Sequence, residues 1–418
     1  MDYFEIEGKK KLYGEIQVSG AKNAVLPLMA ASILNDRPLT ISNVPKLSDS
    51  LTMGKLIEGM GGEVSFHGNS ITINPKNLNN PYAPYDLVKT MRASFYVLGP
   101  LIAKFGEAKV SLPGGCAWGP RPVDFHIEGM KQLGIDISLD AGYVVAKSKK
   151  MTGNKIVFPK VSVGATGNIL MAAVLAEGLT EIHNAAAEPE IQQLCLLLNE
   201  MGAKITGIGT NTLKIEGVDT LGGVDSIDVI PDRIEAGTFL IAVAATGGKV
   251  MLKNVEPNHM ESVINLLKKA DIDITIDKNS ITVDSDGVNI KACSMETNEY
   301  PGFPTDLQAQ WMILMSLASG DSTITENIYF DRFTHILELN RLGCDVHLEE
   351  HRATIKGGRN LIGADVMSTD IRASAALIIA ALCAEGSTKI SRVYHIDRGY
   401  DKIEEKLTNI GAKIIRKK

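Results

Sequence analysis

A chain of 418 residues is longer than one hydrophobic core usually serves, so two domains are expected. Apolar residues make up 44% and charged residues 22%, and the net charge is −6, which describes a globular chain without the basic face that nucleic acid requires. No apolar run reaches membrane-spanning length, the longest being 375–384, and the five cysteines form neither a disulfide framework nor a paired metal motif.

Met1-Asp-Tyr-Phe-Glu-Ile-Glu lacks the basic and apolar regions of a secretory signal. A cytoplasmic chain with reduced thiols and no membrane partner is therefore expected. The eight histidines show no paired-ligand spacing, so no metal is expected, and nothing in the sequence calls for a cofactor. Gly207-Ile-Gly209 reads as a hairpin turn, because no helix follows it.

One pattern recurs along the chain: a helix ends in a small-residue turn and an alternating strand hairpin follows. Its copies are Gly59-Met-Gly-Gly-Glu-Val, Gln132-Leu-Gly-Ile-Asp-Ile, Glu200-Met-Gly-Ala-Lys-Ile, Lys269-Ala-Asp-Ile-Asp-Ile, Arg341-Leu-Gly-Cys-Asp-Val and Asn409-Ile-Gly-Ala-Lys-Ile. Their third residues are 68 to 73 positions apart, the period of a repeated supersecondary unit. Glycine there fits a helix C′ position in left-handed backbone, and Asp271 takes its place in the fourth copy. Upstream of each turn lies a strongly apolar stretch, over 25–34, 94–104, 168–177, 237–245, 307–319 and 373–385, which predicts six buried helices. Each unit reads as βαβαββ. Three units per domain follow, with residues 22–230 in one domain and 1–21 plus 231–418 in the other. A strand over 14–19 precedes the first helix and could return to the second domain.

The basic residues fall at unusual places on these units. Lys22, Arg92, Arg233 and Arg372 each open a buried helix, where a cation opposes the helix dipole by roughly 0.3–1 kcal/mol. Pairing of Arg233 and Arg372 with adjacent Asp232 and Asp370 is one account. An anion gathered at several helix N-termini is the other, and it accounts for all four. Arg121, Arg332 and Arg398 sit in irregular loops.

The loop Ser111-Leu-Pro-Gly-Gly-Cys-Ala-Trp-Gly-Pro-Arg-Pro-Val-Asp124 carries three prolines and three glycines, far more than a connection needs. It presents Cys116 and Arg121 five residues apart, and a neighbouring guanidinium favours thiolate, so Cys116 reads as reactive. Cys195, Cys293, Cys344 and Cys383 read as inert thiols on apolar faces. Tyr300-Pro-Gly-Phe-Pro-Thr-Asp306 precedes the fifth buried helix: Thr305 or Asp306 is expected to cap it, and a carboxylate there also suits a general base. Asp232 and Glu235 read as a capping box.

With these residues assembled, the chain resembles the enolpyruvyl transferases over essentially its whole length, and among them those whose acceptor is UDP-N-acetylglucosamine. The resemblance rests on Ser19-Gly-Ala-Lys-Asn23, Leu112-Pro-Gly-Gly-Cys116, Arg121-Pro-Val-Asp124, Pro231-Asp-Arg-Ile-Glu235, Tyr300-Pro-Gly-Phe-Pro-Thr-Asp306 and His395-Ile-Asp-Arg-Gly-Tyr400. It implies an inside-out α/β barrel, with two three-repeat domains closing over a cleft that holds the active site. It implies transfer of the enolpyruvyl group of phosphoenolpyruvate to a sugar hydroxyl with loss of phosphate, the first committed step of peptidoglycan synthesis.

By the same resemblance, Cys116 would act as the loop cysteine, open to a covalent pyruvate-type adduct and to fosfomycin, and Asp306 as the base. Lys22, Asn23, Arg92, Arg121, Arg332, Arg372 and Arg398 would hold phosphoenolpyruvate, with Lys22 and Arg398 counted beside Cys116 and Asp306 as catalytic. Asn23, Arg92, Arg121, Pro122, Val123, Asp124, Phe125, Lys160, Ser162, Val163, Gly164, Asp306 and Ile328 would form the nucleotide-sugar site. Tyr96, Trp118 and Phe330 depart from the family pattern. The expected state is a monomer or weak oligomer. Two alternatives remain open at this point: the sister enzyme acting on shikimate 3-phosphate, which lacks the Pro-Gly-Gly-Cys loop, and a non-catalytic nucleotide-sugar sensor.

Overall fold

All six repeat turns close in left-handed backbone. Gly61, Gly134, Gly202, Gly343 and Gly411 have φ of 99°, 80°, 101°, 96° and 104°, and Asp271 has φ of 65°. A side chain is rarely stable there, which is why five of the six are glycine. The structure, a computed structural model, describes residues 2–89, 91–113 and 123–418.

Each turn leads into a hairpin, and the hairpins belong to six four-stranded sheets. The second sheet is typical. Tyr82–Ala83 runs parallel to Glu107–Ser111, which pairs antiparallel with Tyr143–Lys147, and that strand pairs with Asp136–Asp140. A buried helix makes the parallel crossover and an amphipathic helix leads to the hairpin, giving the predicted βαβαββ order.

Three sheets depart from sequential order. Leu12–Gln17 does not join the sheet of the helix that follows it. It lies parallel to Gly248–Lys253, with Ile16 opposite Leu252. The first helix instead receives its leading strand from Ser226–Asp228, parallel to Leu39–Ser42. In the sixth sheet the chain ends one strand short, and Tyr3–Glu7 fills the gap, antiparallel to both Ser387–Ser391 and Lys413–Lys417. Phe4 and Ile6 on that strand are fully buried.

The buried helices differ in detail from their sequence patterns. Where one helix is expected over 94–104, a 3₁₀ turn Arg92–Val97 precedes an α-helix Leu98–Phe105. Pro100 explains the break: it has no N–H for the Tyr96 carbonyl, and its ring crowds that group. Helix Gln308–Leu317 is likewise preceded by a short 3₁₀ turn, Thr305–Leu307. The remaining buried helices are Lys22–Ala31, Val163–Ala173, Arg233–Thr246 and Ile371–Cys383.

The chain forms two compact units. One is Gly20–Ile230, and the other joins the segment ending at Ser19 to Pro231–Lys418. Each holds three of the sheets around a core of its own. Among the described residues no helix is long and apolar enough to cross a membrane.

Candidate active site

In the unit containing Pro231–Lys418, three predicted residues meet. Asp306 lies in the 3₁₀ turn Thr305–Leu307, and neither it nor Thr305 caps the helix behind, contrary to the sequence expectation. Both side chains are drawn elsewhere by stronger partners. Asp306 Oδ1 lies 2.7 Å from Nη1 of Arg332, and its Oδ2 lies 3.0 Å from Nη2 of Arg372. Both arginines are 5% exposed. Burial would raise the Asp306 carboxyl, but Arg372 and Arg332 overcome it and hold the group well below the usual carboxylate range.

Asp370, the carboxylate beside Arg372 in sequence, caps the helix by accepting from the N–H groups of Arg372 and Ala373, at 2.8 and 3.0 Å. The guanidinium of Arg372 therefore reaches Asp306 rather than its neighbour. It rests 5.3 Å from the ring centroid of Tyr400, whose hydroxyl lies 2.8 Å from Thr238 Oγ1. Its Nη1 is buried without a hydrogen-bond partner. An orphaned charged donor costs roughly 1–3 kcal/mol unless an acceptor arrives, so this nitrogen suits an anionic oxygen. The 3₁₀ turn Val393–Arg398 packs against helix Ile371–Cys383 and brings Arg398 to its last position, next to Gly399. A Cβ on Gly399 would overlap Ile371. His335 is buried nearby and pushed down to about 4, chiefly by burial, with Asp370 opposing and Arg332 assisting. It stays neutral and adds no competing positive charge.

Two sequence readings change here. Arg233 lies over the Tyr300 ring, 5.5 Å from its centroid, so its placement has an account that needs no anion. Asp232 accepts from Ile234 and Glu235 N–H, as a cap should, yet Glu235 does not complete a capping box. It accepts from Ser19 N–H at 2.6 Å and from Lys406 Nζ at 2.8 Å.

The unit Gly20–Ile230 holds the other candidates. Lys22, at the first position of its helix, pairs with Asp49 at 2.8 Å, and both side chains are nearly buried. Asn23 beside it is exposed. Arg92 opens the turn Arg92–Val97, close enough to His126 to add to the burial that pushes that imidazole down to about 3. His126 Nδ1 lies 3.0 Å from Asn168 Nδ2 and its ring meets Phe95 edge-on. Helices Asp124–Gln132 and Val163–Ala173 pack closely, because a Cβ on Gly129 would overlap Ile169. That approach places Gly164 against the His126 ring.

Asp124, Phe125, Val163 and Gly164 thus sit at two neighbouring helix starts, with Val123 buried ahead of the first. Ser162 caps the second by accepting from Ala165 N–H, and the Phe125 ring stacks on Phe158 at 6.2 Å. Lys160 is exposed on the approach to Ser162. Ile328 belongs to the other unit, where its N–H donates to Glu326. Cys116, Arg121, Pro122 and Trp118 lie outside the described residues.

Asp49 and His126 in one unit, and Glu326 and His335 in the other, lie beside predicted site residues of their own unit and are absent from the sequence reading. Asp49 looks like an ordinary helix-start acid, and the others stand in no recognisable motif. The remaining thiols are pushed up by burial, Cys195 and Cys383 to about 12 and Cys344 to about 11, with Cys293 raised as well. Among the described residues, no group of three or more His, Cys, Asp or Glu is arranged to hold a metal.

A family profile described as EPSP synthase (3-phosphoshikimate 1-carboxyvinyltransferase) matches residues 6–407. The chain belongs to this enolpyruvyl transferase family. Within the family it is 51% identical to UDP-N-acetylglucosamine 1-carboxyvinyltransferase of Hydrogenovibrio crunogenus, over the whole of both chains. The protein of that name from Chlorobium luteolum is 50% identical, with all of this chain and 99% of the relative covered. The enolpyruvyl transferase NikO from Streptomyces tendae shares the fold with a TM-score of 0.91 at 23% identity, covering 99% of this chain and 98% of that one. EPSP synthase from Acinetobacter baumannii does so at 0.79 and 19% identity over the whole of both chains. The inside-out α/β fold of the family is therefore the fold of this chain.

Proposed function

We propose that the chain transfers the enolpyruvyl group of phosphoenolpyruvate to the 3′-hydroxyl of UDP-N-acetylglucosamine and releases inorganic phosphate. The observation that carries this reading is the 51% identity over full length to an enzyme of that name, against 19% to EPSP synthase from Acinetobacter baumannii. The Pro-Gly-Gly-Cys loop favours the same acceptor.

The chemistry divides into addition and elimination. The 3′-hydroxyl attacks C2 of phosphoenolpyruvate, its proton passes to Asp306, and C3 takes a proton from Cys116. The tetrahedral adduct then loses a C3 proton and phosphate together, leaving the enolpyruvyl ether. Lys22, Asn23, Arg92 and Arg121 from one unit, and Arg332, Arg372 and Arg398 from the other, would hold the phosphate and carboxylate and neutralise the charge that builds on the adduct. Stabilisation of this kind is often the largest catalytic contribution. Pro122, Val123, Asp124, Phe125, Lys160, Ser162, Val163, Gly164 and Ile328 would bind the nucleotide-sugar. We place the reaction in bacterial peptidoglycan synthesis, with Cys116 as the point of fosfomycin attack and no cofactor required.

Clamped as it is, Asp306 is a feeble base, because two guanidiniums stabilise its ionised form. An incoming phosphate or carboxylate competes for those guanidiniums, and as their charge is drawn off the carboxylate regains affinity for a proton. The base would thus become competent when the anionic substrate binds.

Phosphate release from phosphoenolpyruvate tests the reading, with UDP-N-acetylglucosamine or shikimate 3-phosphate as acceptor, before and after fosfomycin and in Cys116→Ala. Release with the nucleotide-sugar alone is expected, with inhibition that needs the thiol. Release with shikimate 3-phosphate instead would overturn the acceptor, and release with neither would leave a binding protein.

A further inference from the structure

Glu326 follows strand Ser322–Thr325 and its side chain is fully buried. Its Oε1 accepts from the Thr297 hydroxyl at 2.8 Å and from the N–H groups of Ile328 and Tyr329, each at 2.9 Å. Its Oε2 accepts from the Thr305 hydroxyl at 2.9 Å. A carboxylate only accepts, so the single proton of Thr305 is committed to Glu326 and its lone pairs are free to accept in turn. They accept from Nη1 of Arg332, at 2.9 Å, and the same Nη1 lies 2.7 Å from Asp306. One buried carboxylate thus orders the loop that carries Arg332, the turn that carries Asp306, and the hydroxyl that joins them.

We propose that Glu326 is a positioning residue for the reaction, fixing the hydrogen-bond polarity of the Thr305 hydroxyl and, through it, the place of the Arg332 guanidinium that faces Asp306. A role confined to the 327–329 turn needs only the two N–H bonds and would leave the Thr305 link without purpose. When a substrate anion draws Arg332 from Asp306, the bond to Thr305 remains as the pivot that keeps the guanidinium in register. The inference rests on the proposed roles of Arg332 and Asp306.

Glu326→Gln tests it. The two backbone N–H groups select the amide oxygen for the Oε1 position, so the amide nitrogen faces Thr305. That hydroxyl then meets two donors, and its own proton loses its acceptor. The KM for phosphoenolpyruvate should rise roughly tenfold, the worth of one hydrogen bond to a charged group. The KM for UDP-N-acetylglucosamine should stay within about twofold, since one substrate alone calls on Arg332 for its charge. Thr305→Val should reproduce the effect, Thr305→Ser should restore most of it, and the double variant Glu326→Gln/Thr305→Val should be no worse than either single one. If Glu326→Gln does not fold, the Thr305 pair carries the same test. An unchanged KM for phosphoenolpyruvate, both constants rising together, or additive losses in the double variant would each overturn the inference while wild-type turnover stands. Absence of wild-type turnover would instead remove the reading beneath it.

Discussion

Asp306 shows how one side chain answers to opposing demands. Burial disfavours its charge, and two buried arginines more than reverse that. Asp306→Asn removes the proposed base and should lower kcat by roughly 10²–10⁴-fold, the usual contribution of a general base. A loss under about tenfold in phosphate release would show that another group takes the proton. The same change leaves two guanidiniums without their shared carboxylate. With 24% of the Asp306 side chain exposed, we expect a cost of roughly 2–3 kcal/mol, below the 3–5 of a fully buried pair. Its pH dependence follows from the depressed folded-state value. The stabilisation is complete above the unfolded-chain value of about 3.9 and is lost as pH falls through the lower folded value. Thermal melts of wild type and Asp306→Asn should therefore differ by a constant amount from neutrality to about pH 5 and converge only in stronger acid.

Between the residue and the fold, the repeat turn is the element that the sequence makes plainest. A left-handed residue after a helix is a local demand, and glycine at five of six copies answers it within four residues of chain. Asp271 meets the demand at a cost, so Asp271→Gly should raise stability by up to about 1 kcal/mol in chemical unfolding, the left-handed penalty less the entropy of the added glycine. Strand exchange is the opposite case. The sequence allows Leu12–Gln17 to return to the second domain, but nothing in it or in Ser226–Asp228 names the strand each pairs with, because partners more than 180 residues away decide it. The sixth hairpin is illegible for the same reason, its missing arm being the distant strand Tyr3–Glu7. Polar partners divide likewise. The arginines stand out by opposing helix dipoles, whereas Asp49 and Glu326 look ordinary until folding brings Lys22 and Thr305 to them. That borrowed strand is not ornamental: Ile6→Ala should cost about 2–5 kcal/mol, read as a lowered unfolding midpoint.

At the scale of the whole molecule, two cores share one chain. Each buries its own apolar surface, and cooperative units of this kind commonly depart from a single two-state transition. Scanning calorimetry should give a total enthalpy larger than the van't Hoff value, and equality of the two would mean that the cores melt as one. Tyr3 stands opposite Lys417 in the sixth sheet, so the two ends of the chain are neighbours there. Phe4 and Ile6 are therefore housed only once the distant strands Ser387–Ser391 and Lys413–Lys417 have joined theirs. Were the ends linked by a short flexible peptide and the chain opened between Ser19 and Gly20, both units would become continuous stretches of sequence. Joined in that order, neither unit would be interrupted by the other.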